Sequence, residues 1–267
     1  KRQDYQGADS YPNMELVWSD EFEGNNINPQ NWTYDLGASG WGNNELQNYT
    51  SSTNNSYVSD GYLNIIAKEE NGGYTSARLK SINLQEFQYG RIDVSAKLPE
   101  GQGIWPAIWM LGHNYQTIGW PACGEIDIME QWGSDGPTNQ TTGAAHLGNC
   151  PYSSSSHFYN SFQHTLNSGS FADNFHTYEI RWDVDYIAWY LDGNQIYSIN
   201  PNMYPPQYSW PFNTNDWYII LNLAITSTGP SNNTSFPSQI EVDWVRVYEN
   251  VGPITGCTDP VSYTHLR

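Results

Sequence analysis

The clearest chemical signal in the chain is one run of six residues, Glu125-Ile126-Asp127-Ile128-Met129-Glu130. On an extended strand successive side chains alternate, so Glu125 and Asp127 share one face and Ile126 and Ile128 the other. Strict alternation would turn Glu130 away from them, and a one-residue bulge near Met129 would bring it back. Three carboxyls would then line about 15 Å of a single strand. A solvated polar edge would also tolerate this pattern, but two features argue against it. No Lys or Arg lies between Lys97 and Arg181 to relieve the repulsion, and Trp-rich stretches flank the run at 103–110 and at Gln131-Trp132. Carboxyls crowded among aromatics have their proton affinities pushed apart, which is what acid/base chemistry needs. Two carboxyls about 5–5.5 Å apart serve a retaining glycosidase, one as nucleophile and one as general acid/base.

Composition agrees with a neutral, hydroxyl-rich ligand. The 267 residues hold 28 Asp+Glu against 10 Lys+Arg, a net charge of −18, and only 14% are charged. Such a balance repels nucleic acid, anionic membranes and polyanionic substrates. Twelve Trp, 20 Tyr and 8 Phe supply surface to bury, which excludes disorder, and stack well on sugar rings. No apolar run approaches the roughly 18 residues of a membrane span. The three cysteines are too few for a disulfide framework; Cys123 and Cys150 could pair or remain free thiols, and Cys257 stands alone.

The elements that must position the acidic run are short strands cut by turn residues. Segments 62–68, 88–97, 178–182, 187–191, 217–225 and 240–248 alternate or run apolar, and none of ten or more residues keeps a 3.6-residue period. This predicts an all-β, two-sheet antiparallel sandwich. Stretches 41–57, 133–174, 200–216 and 226–238, rich in Asn, Ser and Tyr, read as long loops and functional rims. Residues 1–14 read as a lead-in, 15–250 as one domain, and 251–267 as a linker or the start of an appended module with a non-native tail.

Glu125-Ile-Asp-Ile-Met-Glu130 resembles the catalytic motif of glycoside hydrolase family 16, in the bulged form of its laminarinases, the endo-β-1,3-glucanases. Further blocks occur in the family's order: Trp18-Ser-Asp-Glu-Phe22, Trp41-Gly-Asn-Asn-Glu-Leu-Gln47, Ser76-Ala-Arg-Leu79, Tyr89-Gly-Arg91, Gly103-Ile-Trp-Pro-Ala-Ile-Trp-Met110, Leu221-Asn-Leu-Ala224 and Val242-Asp-Trp-Val-Arg-Val-Tyr248. The resemblance implies a β-jelly-roll sandwich with an open substrate cleft on its concave face. It implies Glu125 as nucleophile, Glu130 as acid/base, and Asp127 assisting by hydrogen bonding and charge. Trp105, Trp109 and Trp120 would line the cleft, Arg78 and Asn43 would bind the non-reducing side, and His146 would lie near the acid/base. Ile225-Thr-Ser-Thr228 departs from the glycine pair often found there, which alters one cleft wall.

No cofactor is implied for catalysis. A structural Ca²⁺ is, with Glu23, the Gly61 carbonyl and Asp243 as its oxygen donors. The expected partner is a β-glucan polysaccharide or oligosaccharide cut at internal β-1,3 bonds, with mixed-linkage β-1,3-1,4-glucan as a further substrate. The expected protein is a secreted monomer. Two other readings stand beside this one: a non-catalytic glucan-recognition module, which generally lacks the glutamates, and a relative acting on a galactan. Sulfated galactans call for basic residues in the cleft, and only seven Lys/Arg lie between residues 3 and 266.

Overall fold

The computed structural model describes residues 7, 10–133 and 138–251. The tail with Cys257 lies outside these. Almost all regular structure is β, in two sheets packed face to face. The larger sheet runs in the order Asn194–Ile199, Tyr186–Leu191, His176–Asp183, Gly90–Lys97, Ser238–Asn250, Tyr62–Glu70, Gly73–Ser76 and Gln47–Tyr49, with Met14–Asp20 and Ser56–Ser59 paired alongside. The other runs His157–Thr165, Gln140–Gly148, Glu125–Glu130, Ile104–Gly112, Trp217–Ile225, Arg78–Lys80 and Thr33–Asp35, with Glu86–Phe87 beside Trp217–Ile225. Among these pairs only Gln47–Tyr49 with Gly73–Ser76 is parallel. This is the jelly-roll sandwich.

Alternation decides which side chains enter the core. Ile92, Val94 and Ala96 from one sheet meet Ile108, Met110, Ile126 and Leu221 from the other, all buried in one cluster. Every residue of Trp217–Ile225 is buried, because this central strand is covered on both faces. Burying this much aromatic and branched surface, at roughly 25 cal/mol per Å², is what holds the two sheets together.

The acidic strand sits near the middle of the second sheet, and its bulge is real. Trp109 pairs with Asp127 but Ile108 pairs with Met129, so Ile128 is the extra residue. The same step recurs on the other side, where Asp127 pairs with Ala144 and Glu130 with Thr142. Glu125, Asp127 and Glu130 therefore share one face, level with Leu111, Trp109 and Ala107. A bulge leaves backbone groups without ladder partners, and here the other sheet supplies one: Trp189 Nε1 donates to the Asp127 carbonyl at 2.8 Å. Gly143 makes room, since a Cβ there would come within 2.9 Å of that carbonyl oxygen.

Two expectations are corrected, and one open alternative is resolved. The stretch 133–174 is not one loop; it contains Gln140–Gly148 and His157–Thr165. The first strand is built of small residues and the second is a polar edge, so neither shows an apolar alternation. Residues 10–13 are held rather than loose: Tyr11 donates to Asp93 Oδ2 at 2.6 Å and lies 4.0 Å from the Arg91 guanidinium. Cys123 and Cys150 are free thiols. The buried Cys123 sulfur contacts the Gly124 carbonyl and the exposed Cys150 sulfur that of Trp120.

The Trp189 bond can be tested directly. Trp189→Phe keeps a ring in the core but orphans the Asp127 carbonyl, which should lower unfolding free energy by about 1–3 kcal/mol. The expected readout is a lower urea midpoint at unchanged slope. An unchanged midpoint would show that the bulge does not need this indole.

Candidate active site

The three carboxyls lie in a dry, aromatic-walled trough. Asp127 is buried, and the Glu125 side chain is 18% exposed, open only at its tip. Burial raises all three carboxyls. Glu125 is pushed up to about 8 by burial and then by Asp127 and Glu130, with the His146 imidazole and Arg78 working the other way. Asp127 rises to about 8 through burial alone. Glu130 rises to about 8 through burial and the Asp127 charge, opposed by His146 and by the Trp105 hydrogen bond. Three such groups cannot all ionise together, so at neutral pH the set holds protons that it can give and take back.

Each carboxyl has its own partner. Trp105 Nε1 donates to Glu130 Oε1 at 3.0 Å, and the Trp105 ring stacks on the half-exposed Trp132 with centroids 3.9 Å apart. His146, cross-strand from Glu125, places Nε2 3.1 Å from Asp127 Oδ2 and 3.8 Å from Glu125 Oε1. The resemblance implied that Asp127 assists by hydrogen bonding, and its partner here is His146. Thr142, cross-strand from Glu130, has a buried hydroxyl with no partner among the described residues.

On one side of the acidic strand a rigid network faces the cleft. Trp109 Nε1 donates to Asn222 Oδ1 at 2.7 Å, and Asn222 Nδ2 donates to the Tyr49 hydroxyl at 3.1 Å. Arg78 lies over the rings of Trp109 and Trp41 at 4.7 and 5.0 Å and pairs with Asp35 at 3.0 Å. Glu45 accepts from Gln47 at 2.6 Å and from the exposed Asn43 at 3.4 Å, at the rim of this network, and burial raises its proton affinity. On the other side the Trp120 ring lies 4.7 Å from His157 and 5.1 Å from Tyr152. The altered segment after Ile225 forms a turn seated on the 101–103 loop, with Thr226 N donating to the Gly103 carbonyl at 2.9 Å. That turn closes the end of the trough beside Trp105.

The structure thus brings Glu125, Asp127, Glu130, Trp105, Trp109, Trp120, Arg78 and His146 to one face, with Asn43 at its edge. Glu23, Gly61 and Asp243 lie apart from it, against the larger sheet. Sequence reasoning missed Asn222, Thr142, Trp132 and His157 as members of the site. Asn222 and Trp132 sat inside or beside motifs already singled out, whereas Thr142 and His157 carried no local signal. Glu125, Asp127 and His146 offer donor atoms within 4.8 Å of one another, the spacing set by the contacts of His146 with the two carboxylates.

Residues 43–246 match the sequence pattern of glycosyl hydrolases family 16. The chain belongs to this family. Its relatives include a glucan endo-1,3-beta-glucosidase A1 from Niallia circulans, 36% identical over 88% of this chain and 38% of that protein's length. A beta-glucanase from Rhodothermus marinus is 37% identical over 90% of this chain and 87% of its own. The solved catalytic domain of an endo-1,3-beta-glucanase (laminarinase) from Thermotoga petrophila superposes with a TM-score of 0.79 at 37% identity, covering 90% of this chain and 99% of that one. The chain is a glycoside hydrolase, and as in the family at large no cofactor is needed for catalysis.

The Trp105 bond sets a pH limit for the family 16 chemistry. Its N–H favours the ionised form of Glu130, so Trp105→Phe should let Glu130 keep its proton to higher pH. The basic limb of kcat against pH should move up by about one unit, the scale of one hydrogen bond to a charged group. A basic limb that stays in place would detach Trp105 from the proton chemistry.

Proposed function

We propose that the chain is a retaining endo-β-1,3-glucanase acting inside laminarin-type glucans, with mixed-linkage β-1,3-1,4-glucan as a secondary substrate. The observation that carries this reading is the bulge, which places Glu125 and Glu130 on one face with Asp127 between them. Glu125, ionised, attacks the anomeric carbon and forms a glycosyl–enzyme ester. Glu130 gives its proton to the departing glucosyl oxygen as that bond breaks. The Glu130 carboxylate then takes a proton from water, whose oxygen attacks the same carbon and releases Glu125. Two inversions restore the β configuration, and the proton count at Glu130 closes. Asp127 and His146 hold the remaining charge beside the nucleophile. Trp105, Trp109 and Trp120 offer faces to the sugar rings, and Arg78 offers hydrogen-bond donors to hydroxyls on the non-reducing side.

Calcium belongs to the other face of the sandwich. Asp20 pairs with Val245 and Leu63 with Val242, so the chain past Asp20 and the turn at Gly61 both end beside Asp243. Two carboxylates and a carbonyl on these neighbouring segments, were they to converge, would suit a hard, oxygen-seeking cation. Bound Ca²⁺ would tie two turns to the long strand Ser238–Asn250 and stabilise the folded state by mass action. The working place of the enzyme is extracellular, because a glucan polymer cannot cross a membrane to reach it. A monomer suffices, since one chain supplies every group named above.

Two experiments test these proposals. Glu125→Ser should abolish turnover of every glucoside while laminarin oligosaccharides still bind. Glu130→Ala should nearly stop laminarin hydrolysis yet retain the first step on an aryl glucoside whose leaving group needs no proton. Azide should then speed turnover of that variant and give the β-glycosyl azide. An α-azide, or full laminarin activity in Glu130→Ala, would overturn the roles. For calcium, EDTA should lower the melting temperature and added Ca²⁺ restore it, without change in the chemistry; an unchanged melting temperature removes the site.

A further inference from the structure

The edge strand His157–Thr165 places His157 opposite Gly148 and Tyr159 opposite His146, with both side chains on the catalytic face. Gly148 leaves His157 room to lean across: a Cβ at 148 would come within 2.7 Å of Pro121 Cγ and 3.1 Å of His157 Cα. The two imidazoles are nearly parallel, 7° apart, with centroids separated by 5.1 Å, and His146 Nδ1 lies 2.9 Å from His157 Nε2. They meet edge to edge, so the donor hydrogen and the acceptor lone pair lie in the ring planes. His146 spends its other nitrogen on Asp127 Oδ2 at 3.1 Å. A continuous line of polar contacts therefore runs Asp127–His146–His157, an ion-pair contact followed by a hydrogen bond.

We propose that His157 is a positioning residue that fixes the proton arrangement of His146, and through it that of Asp127 and the two catalytic glutamates. This rests on the glucanase reading of the same site. The chain of three has two arrangements with an uncharged His146, one with a protonated, neutral Asp127 and one that holds one proton fewer, with Asp127 as carboxylate. In one, Asp127 carries the proton and donates to His146 Nε2, while His146 Nδ1–H donates to His157. In the other, His157 Nε2–H donates to His146 Nδ1, and His146 Nε2–H donates to the Asp127 carboxylate. Adding a proton to the second puts an imidazolium at His146, donating to both neighbours, which is a tautomer of the first, provided that His157 itself stays neutral. Its surroundings ensure this: burial beside Trp120 and the adjoining His146 imidazole lower the His157 pKa to about 4. Its other ring neighbours are Tyr152 and Tyr159, at 5.9 and 5.5 Å.

The charged groups facing His146 are Asp127 and Glu125 from the acidic strand. Glu130 is affected by the same imidazole, Arg78 reaches Glu125 from beyond the neighbouring strands, and the Cys123 thiol lies behind Glu125, pushed up to about 12 by burial and that carboxylate. Positive charge at His146 favours ionised Glu125 and Glu130. His157, as neutral acceptor, supports that charge. Its removal should leave the carboxyls protonated to higher pH.

His157→Phe keeps the ring against Trp120 and removes the nitrogen; His157→Gln places an amide near the position of Nε2. On laminarin, the acidic limb of kcat/KM against pH should move up by about one unit in His157→Phe, the scale of one charged hydrogen bond, and return toward the parent in His157→Gln. A uniform fall in kcat/KM with the limb unmoved would assign His157 a structural role and overturn the proposal. Should His157→Phe fail to fold, ¹⁵N-histidine NMR of the unaltered enzyme decides. His146 and His157 tautomers locked as a hydrogen-bonded pair support the proposal, and two independently averaging rings overturn it. The NMR result does not depend on substrate, and laminarin hydrolysis by the unaltered enzyme tests the glucanase reading separately.

Discussion

The fold of the second sheet turns on keeping three carboxyls adjacent and nearly dry with, among the described residues, no Lys or Arg in direct contact. The arrangement is costly. Burial raises each of Glu125, Asp127 and Glu130 to about 8, whereas an unfolded chain would hold them near 4. The folded state therefore binds more protons than the unfolded state between those values. The sign follows: their contribution to stability is full below about pH 4 and is lost as pH rises through about 8. This is the reverse of the usual salt-bridged carboxylate, and it means that at neutral pH the site opposes folding. The fully buried strand Trp217–Ile225 and the aromatic core beneath the acidic strand offset that strain.

A second buried acidic cluster shows the alternative solution. On the larger sheet Arg91 pairs with Asp93 and with Glu179, each at 2.8 Å, and Tyr11 caps the group from above. There a guanidinium supplies donors to both carboxylates, and an aromatic lid closes the group from solvent. That cluster is built around one guanidinium and lies on the sheet that does not carry the acidic strand. The acidic strand is partnered instead by an indole N–H and an imidazole, groups that orient a carboxyl without neutralising it permanently. The difference between a structural and a chemical use of buried acid lies in which donor faces it.

How much of this was legible in the sequence depends on where each residue's role is created. Trp217–Ile225 was readable because an unbroken apolar run bounded by turns has few other folds open to it. The bulge was readable because Glu130 makes chemical sense only on the face of Glu125. Gln140–Gly148 and His157–Thr165 were not, because Gly, Ala, Thr, Ser and Asn carry little periodic signal even when they pair perfectly. Asn222 and His157 owe their place to register across strands far apart in sequence, and no local pattern records register. The state of Cys123 and Cys150 stayed open in the sequence for a related reason: separation along the chain does not fix whether two sulfurs bond.

The same register logic gives the two halves of the cleft different mechanical character. On the Arg78 side, Trp109, Asn222 and Tyr49 form a continuous buried hydrogen-bonded line, so the indole that meets the sugar has almost no freedom of its own. On the other side Tyr152 and Tyr159 are 56% and 53% exposed and stand on a loop and an edge strand. A retaining reaction needs the sugar that becomes covalently bound to be held in one geometry through both steps, because misplacement of its anomeric carbon weakens attack and release alike. The departing part of the chain has the opposite requirement, since it must leave before water can enter. For the proposed reaction, a hydrogen-bonded wall on the Arg78 side and an exposed aromatic edge on the other would meet both demands with one sheet.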